Sequence, residues 1–495
     1  MLNTFSASSS QAPRWEAFLV FIGLLICFSI NLLTATMSPI PWGDEVMLAD
    51  PAIRWHLGQG FTSAAWAIQP KEQFFSANVP LYPVLLREWI GLFGPTLTSI
   101  RSFSFVCFFL AIALLWWATV RMELLRNSVS RLALVFLFCT AFGMTFMCRN
   151  ARYDSLCLLL VSIAFILLAA ASARLSKVGL LIIGIFLPFA GLQLLPFIII
   201  MSLVTLAVVR PAPKGHFLYL AFGCSLGIAM LCALYLAHGT FGIFVRSALG
   251  HGVYFKTEGN RYFSKLSSLP NAFLGNPFQL WQTDRMDYSS LIVFLLILLL
   301  SFTDYYRRKF VSYPARFALL VSLLVPLFMH LSAHFRIYYR WMTFVPCAIC
   351  LMMILERLWN SISVRFRIAI VIALAGAAGI GLPARLVFLG LYAKERNYDS
   401  LKSLVADKIL PSDRIYSNGP AYFAAVASNP YVMSEGYLLR MTPDEISRIT
   451  LLIVSPEKFD EVKARIPGPW IKTGELMPQS SSPLGAYRVA FYRHP

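Results

Sequence analysis

The chain has 495 residues, of which 58% are apolar and only 13% are charged. This composition excludes an ordinary soluble globular protein and a disordered chain, and it is typical of a polytopic α-helical membrane protein. The formal net charge of +18 suits anionic headgroups and phosphates. A nucleic-acid partner is not expected, because the basic residues are spread over many loops.

Apolar runs along the chain predict eleven membrane-spanning helices. The segment 178–209 is predicted to form two short helices broken around Gln193 and Pro196 rather than one long helix. Short loops that carry arginine and few acids are expected in the cytoplasm, which places the amino terminus inside and the carboxyl terminus outside. The predicted spans lie near residues 17–37, 97–120, 131–148, 155–172, 178–192, 195–209, 216–237, 288–303, 317–334, 341–357 and 368–391.

The first outer loop, residues 38–96, opens with Pro41-Trp42-Gly43-Asp44-Glu45. Asp44 is predicted to be the N-cap of a short interfacial helix over 44–57, and Glu45 a dipole partner or a supporting acid. An ionised pair at this depth cannot face lipid, so it is the leading candidate for the reactive centre. The alternative is that Asp44 only caps the helix.

A second polar cluster, Arg149, Arg152 and Asp154, is predicted at the outer tip between the third and fourth spans. Asp154 is expected to orient an arginine or an acceptor, and a local ion pair at a helix end is the alternative. Aromatic residues near the outer edge are candidates for stacking on sugar or isoprenoid, although such residues also form ordinary interfacial belts. They are Trp42, Tyr82, Tyr338 and Tyr339.

A late tract, residues 336–340, carries Arg336 and Arg340 on either side of two tyrosines. Guanidinium groups bind phosphate oxygens in pairs, so both arginines are candidates for a phosphate clamp, with headgroup snorkelling as the alternative. His330 and His334 stand four residues apart, a spacing that allows a divalent metal to be shared, but polar packing is favoured because no glutamate accompanies them. No cofactor is required by the sequence.

The remaining outer pieces are the loop 238–287, a lid or a solvated loop, and the tail 394–495. The tail carries 13 basic and 11 acidic residues and alternates helical patterns at 398–409 and 443–449 with strand-like runs at 450–454 and 487–492. It is therefore predicted to be a small extracytoplasmic α/β domain that follows a membrane domain over 1–393. The nine cysteines lie in or at the ends of spans and predict neither a disulfide framework nor a zinc site.

Together these tracts resemble the GT-C glycosyltransferases of the protein O-mannosyltransferase and aminoarabinose-transferase type, glycosyltransferase family 39. The resemblance covers residues 15–392. It is carried, in order, by Asp44-Glu45 after the first span, Pro80-Leu81-Tyr82 before the second, Arg152-Tyr153-Asp154 at the next hairpin, and the tract Arg336–Arg340 followed by Pro346.

The resemblance implies a GT-C fold and the transfer of one sugar from a polyprenyl-phosphate donor to a hydroxyl of a glycan, lipid or protein acceptor. Asp44 would be the general base, in an inverting reaction, with Glu45 beside it. Arg336 and Arg340 would bind the donor phosphate, and Lys71 would join them as a substitute for a lysine of the relatives, with an ordinary solvated lysine as the favoured alternative. The supporting residues would be Arg152, Asp154, Tyr82 and Tyr339. Relatives often have lysine where this chain has Asn78 and Val79, and again at Gln193.

Two other classes remain open from the sequence. A transporter or flippase of lipid-linked sugars would also carry charges at membrane depth, but it should show paired half-helices in a repeat. A non-catalytic lipid-binding relative would bind without turnover. The lack of an Asn-x-Ser/Thr sequon and of cysteines in the tail is compatible with a bacterial inner membrane.

Overall fold

A computed structural model describes residues 12–169, 174–209, 214–250, 288–333, 337–478 and 485–495. Arg336, His334 and most of the loop 238–287 lie outside the described residues. The helices before residue 394 are α1 Arg14–Leu33, α2 Gly43–His56, α3 Leu81–Phe93, α4 Leu97–Arg121, α5 Ser128–Thr140, α6 Phe142–Cys148, α7 Asp154–Ala169, α8 Arg174–Ala190, α9 Leu194–Val208, α10 Lys214–Ala237, α11 Phe241–Gly250, α12 Tyr288–Arg308, α13 Tyr313–Ala333, α14 Trp341–Leu358, α15 Val364–Gly379 and α16 Leu382–Leu391.

Each of the eleven predicted spans coincides with one of these helices or with a bent pair of them. Within the described residues, six helices are long and apolar enough to cross a membrane, or eight if the bent pairs α5–α6 and α15–α16 each count as one span. The predicted break near Gln193 is confirmed, because α8 ends at Ala190 and α9 begins at Leu194. The chain is a polytopic helical membrane protein, and the number of eleven crossings stays a prediction.

Glycines let two of the membrane helices approach closely. A Cβ atom at Gly184 in α8 would lie only 2.6 Å from the Leu220 carbonyl oxygen of α10. On the facing side, Gly223 and Gly227 of α10 have the small-xxx-small spacing that brings helix backbones together in lipid. Van der Waals packing, which drives helix association in a membrane, therefore stabilises this pair.

The carboxyl-terminal residues form an α/β region, as predicted. Its five-stranded sheet has the order β2-β1-β3-β5-β4, in which β1 pairs in parallel with β2 and β3, and β5 pairs antiparallel with β3 and β4. The parallel strands are buried along their whole length, as in sheets covered on both faces. The elements are β1 Ile415–Ser417, β2 Val432–Ser434, β3 Leu451–Val454, β4 Ile471–Leu476, β5 Val489–Arg493, α17 Tyr398–Lys408, α18 Gly419–Ser428, α19 Pro443–Ser447 and α20 Phe459–Arg465.

The α/β region docks on the first connector, residues 38–96, chiefly through α2. Asp50 in α2 is fully buried and accepts hydrogen bonds from the Ser63 hydroxyl at 2.5 Å, the Ala64 N–H at 2.8 Å and the Tyr422 hydroxyl of α18. A buried carboxylate needs several such donors to offset the cost of losing water. The helix α2 is thereby fixed between the membrane helices and the α/β region.

Residues 34–39, which lead from α1 into the first connector, are also held by groups from the end of the chain. The Tyr487 hydroxyl donates to the Thr36 carbonyl at 2.6 Å, and Arg396 donates to the Met37 carbonyl. Both side chains are buried. Partly buried carbonyls outside helices need donors from elsewhere, and these two carbonyls are bonded by residues more than 350 positions away in sequence.

Candidate active site

The helix α2 begins one residue earlier than the sequence predicts. Its N-cap is Trp42, with an extended backbone at φ −137° and ψ 169°, and no side chain caps the helix. Asp44 therefore lies in the first turn, and its predicted role as the N-cap is wrong. The side chain of Asp44 is 37% exposed, and its carboxylate interacts with groups outside the helix.

The neighbouring Glu45 is fully buried and engaged. Arg101 in α4 donates to both of its oxygens, from Nε at 2.7 Å and from Nη2 at 2.6 Å, and the Ala151 N–H donates at 2.8 Å. The other terminal nitrogen of Arg101 donates to the carbonyls of Ala35 and Pro39. We therefore interpret Glu45 as the residue that fixes the start of α2 against α4, a supporting role that excludes direct contact with substrate in this arrangement.

Arg152 connects the two remaining carboxylates of the cluster. Its Nη1 donates to Asp44 Oδ2 at 2.7 Å, and its Nε donates to Asp154 Oδ2 at 3.0 Å. The guanidinium group lies 3.7 Å from the ring centroid of Tyr338, which is close enough for a cation–π interaction. Arg152 is 3% exposed and Asp154 is fully buried. The arginine thus holds Asp44 in place while its own charge is balanced by Asp154.

The predicted aromatic residues lie around this arginine. The Tyr339 hydroxyl is 3.2 Å from that of Tyr153, and the Trp42 indole N–H donates to the Asn150 side chain at 2.8 Å. Tyr82 is fully buried and its hydroxyl lies 3.4 Å from that of Ser104. In turn Ser104 donates to the Arg152 carbonyl at 3.3 Å, so Tyr82 supports the arginine from behind and does not face the open side of the site.

Arg149, the first residue after α6 in the same tip, has a different role. It is fully buried, and its guanidinium group donates to the Asn31 side chain and to the Thr34 and Ser38 carbonyls. These bonds tie the tip to the end of α1. The guanidinium group of Arg149 is therefore used to hold these backbone segments together.

The three predicted phosphate ligands have different surroundings. Arg340 is 7% exposed at the amino-terminal end of α14, directly after the two tyrosines of the site, while Arg336 lies outside the described residues. Lys71 forms an ion pair with Glu445 of the α/β region and lies 3.9 Å from Glu72. Burial raises the pKa of Glu445, but the bond and charge of Lys71 and the hydrogen bonds from Thr442 together outweigh burial and keep that pKa below its usual value. The described contacts of Lys71 do not include Asp44 or Arg152.

The candidate metal ligands are only partly described. His330 is buried in α13, and His334 lies outside the described residues. Among the residues that the structure describes, no group of three or more His, Cys, Asp or Glu side chains has the arrangement of a metal site.

Arg101, Asn150 and Ser104 contribute to the site but were not identified from the sequence. Arg101 carried a usable signal, since an arginine inside an apolar span needs a partner and most often faces the interior of the bundle. Asn150 and Ser104 are ordinary polar residues, and only the fold brings them beside Trp42 and Arg152.

No protein-family model matches the chain, and no curated protein matches it in sequence. Its structure is similar to crystal structures of ArnT from Cupriavidus metallidurans, with a TM-score of 0.59 for the complex with undecaprenyl phosphate and 0.56 for the apo state. The identity is 12% in both comparisons, which cover 97% and 96% of this chain and 98% of the ArnT chain. Similarity at this identity shows the fold alone.

Proposed function

From the premise that the chain has the GT-C fold, we propose that it is an inverting glycosyltransferase with Asp44 as its general base. It moves one sugar from a polyprenyl-phosphate donor to an acceptor hydroxyl. The observation that supports the proposal is the difference in solvent exposure among the acidic side chains of this cluster. Of the three acidic residues around Arg152 and Arg101, Asp44 alone reaches solvent, with 37% of its side chain exposed, while Glu45 and Asp154 are fully buried.

The geometry around Asp44 suits proton transfer. Asp44 Oδ2 accepts the bond from Arg152, which leaves Oδ1 for the proton of an incoming hydroxyl. The hydroxyl oxygen attacks the anomeric carbon, its proton passes to Asp44, and the bond from the anomeric carbon to the phosphate oxygen breaks with its electron pair on the phosphate. A single displacement of this kind inverts the anomeric centre.

The leaving phosphate is a weak base, so it needs cationic stabilisation rather than a protonated acid of the kind that glycosidases use. Arg340 supplies a buried guanidinium group next to the aromatic cluster of Tyr338 and Tyr339. The complex of ArnT with undecaprenyl phosphate supports a lipid phosphate as the ligand class for this fold.

We further propose that the first connector and the α/β region both face the outside of a bacterial inner membrane. The contacts of α2 with α18 support a common side, since Tyr422 donates to Asp50. Two segments on the same side of a membrane are separated by an even number of membrane crossings. The predicted number of crossings between the first connector and the α/β region is ten, which is even. The positive-inside pattern supplies the direction.

The proposed activity is tested with the purified full-length chain in detergent and a panel of radiolabelled polyprenyl-phosphate sugars, with a membrane extract as the source of acceptor. We expect transfer from at least one donor and a product whose anomeric configuration, determined by NMR, is inverted. A product of retained configuration would overturn the single displacement. The absence of transfer from every donor would overturn the enzyme assignment in favour of lipid binding or transport.

Arg340→Lys should raise the KM for the donor by about tenfold with a smaller change in kcat, because an ammonium group cannot make the paired bonds of a guanidinium group to phosphate. Steady-state transfer rates at varied donor concentration measure both constants. Arg357→Lys is the matched control, since Arg357 lies in the last turn of the same helix and contacts Phe310. A donor KM equal to that of the unmodified chain would remove Arg340 from the phosphate site.

A further inference from the structure

The carboxyl ends of the three parallel strands lie at one edge of the α/β sheet, and that edge faces the candidate active site. In open α/β sheets, ligands bind in the crevice outside the carboxyl ends of the strands. The residues that follow β1, β2 and β3 are Asn418, Glu435 and Ser455. We call these three residues and Lys458 the strand-end group.

The strand-end group packs directly on the residues around Asp44. A Cβ atom at Gly419 would lie 2.9 Å from the Trp42 Cα and 3.1 Å from the Pro41 carbonyl oxygen, so only glycine permits this approach. A Cβ atom at Gly43 would lie 3.1 Å from Glu435 Oε1. The carboxylate of Glu435 therefore sits against the residue that immediately precedes Asp44.

Glu435 is held in this position by a neighbour and keeps one oxygen available. Lys458 donates to Glu435 Oε2 at 2.7 Å, and the side chains are 23% and 50% exposed for Glu435 and Lys458. The pair thus reaches solvent beside the reactive carboxylate. A carboxylate oxygen accepts hydrogen bonds from hydroxyl groups, and an ammonium group with remaining N–H bonds donates to hydroxyl oxygens, so the pair matches a neutral polyhydroxyl ligand.

A second observation also points to a ligand at this edge. Asn418 is 1% exposed, and its side-chain N–H donates to the Ser455 hydroxyl at 2.8 Å, yet no donor among the described residues reaches its Oδ1. The hydroxyl of Ser434, the last residue of β2, is likewise buried without a partner in the described part of the chain. Unsatisfied buried polar atoms are rare in native proteins, and two of them at the ends of adjacent parallel strands indicate an incomplete polar site.

We infer that the strand-end group binds the hydroxyl groups of a sugar residue in the acceptor, with Glu435 as the residue that positions this sugar beside Asp44. This inference rests on the proposed glycosyltransferase activity and names its acceptor as a carbohydrate. The donor lipid approaches from the membrane helices, whereas the strand-end group closes the opposite side of the site. On this inference, the α/β region binds the acceptor and the membrane helices bind the donor.

The test uses kinetics to distinguish an effect on acceptor binding from an effect on donor binding. Glu435→Gln in the full-length chain should raise the amount of membrane extract needed for half-maximal transfer by about tenfold, the effect of losing one charge-assisted hydrogen bond. The donor KM, and the slow hydrolysis of the donor measured without extract, should stay within about twofold of the unmodified chain, an effect below about 0.5 kcal/mol. Glu435→Asp, which keeps the charge, should give an intermediate value.

The matched control is Glu475→Gln, since Glu475 pairs with Lys472 at 2.6 Å on the outermost strand β4, away from the strand-end group. For Glu475→Gln, the amount of extract needed for half-maximal transfer should equal that of the unmodified chain. If Glu435→Gln and the control behave alike, or if Glu435→Gln slows donor hydrolysis and transfer equally, the assignment of Glu435 to the acceptor is overturned.

The chemical class of the acceptor is tested separately. Mild periodate cleaves vicinal diols, so treatment of the extract with periodate and then borohydride should abolish transfer by the unmodified chain. Full transfer to the treated extract would overturn a diol-bearing sugar as the acceptor. Failure of the proposed function is distinguishable, because the unmodified chain would then neither hydrolyse any donor nor transfer from it.

Discussion

Replacement of Asp44 by asparagine should lower the rate of sugar transfer by at least about a hundredfold. Removal of a general base usually costs between about 10² and 10⁴ in rate. The amide is nearly isosteric and its oxygen still accepts the bond from Arg152, so the fold and the donor KM should be preserved. The measurement is kcat for transfer from the best donor, with the melting temperature in detergent as the check on folding.

Asp399→Asn is the matched control for this experiment. Asp399 also lies in the first turn of a helix, α17, and is exposed, but no contact joins it to the cluster around Arg152. Its substitution should leave kcat unchanged. A folded Asp44→Asn variant with more than about a tenth of the original kcat would contradict the assignment of Asp44 as the base, since base removal usually costs far more.

Glu45→Gln should destabilise the protein strongly. The Glu45–Arg101 pair is completely buried, with two parallel bonds of 2.7 and 2.6 Å, and the loss of one partner leaves a charge buried without its counterion. Breaking a buried ion pair in this way usually costs about 3–5 kcal/mol. A reduced melting temperature in detergent, and a lower yield of folded protein, are the expected results.

The comparison variant is Glu88→Gln, because Glu88 forms an ion pair with Arg87 at 2.5 Å whose side chains are 62% and 38% exposed. An exposed pair contributes about 0–1 kcal/mol, so the melting temperature should hardly move. If Glu45→Gln melts like the unmodified chain and only its kcat falls, the interpretation of Glu45 as a framework residue is wrong and a direct catalytic role is favoured.

The helices and the α/β region follow from patterns that act locally. Apolar runs and loop charge locate each helical segment, and strand-like runs locate β3 and β5. Even the interruption near Gln193 is visible, because Pro196 follows it closely. In the site, the tie between Arg152 and Asp154 is also local, since the two residues are only two positions apart.

The sequence does not predict the hydrogen-bonded pairs that form between residues far apart in the chain. Arg152 reaches Asp44 across 108 positions, and Arg101 reaches Glu45 across 56. Periodicity carries no information on which of two adjacent carboxylates turns inward. The start of α2 at Gly43 rather than Asp44 determines which of the two carboxylates turns inward. That start depends on the packing of Trp42 against Tyr338 and of Gly419 against Pro41.

The prediction for Lys71 illustrates the same limit. In sequence it is a lysine near the Pro-Leu-Tyr tract, close to where relatives often carry one. In the structure its ion pair is with Glu445, which lies 374 positions later. Its role in binding a phosphate stays a prediction, and the described contacts favour a tie between the first connector and the α/β region.

The hydrogen bonds that hold residues 34–39 also set an order on biosynthesis. The Thr36 carbonyl accepts a hydrogen bond from Tyr487, which is synthesised 451 residues later. Since translation runs from the amino terminus, the loop that carries Asp44 can take its final form only after Tyr487 has been synthesised. This part of the candidate site is therefore completed only after the intervening membrane helices have been synthesised.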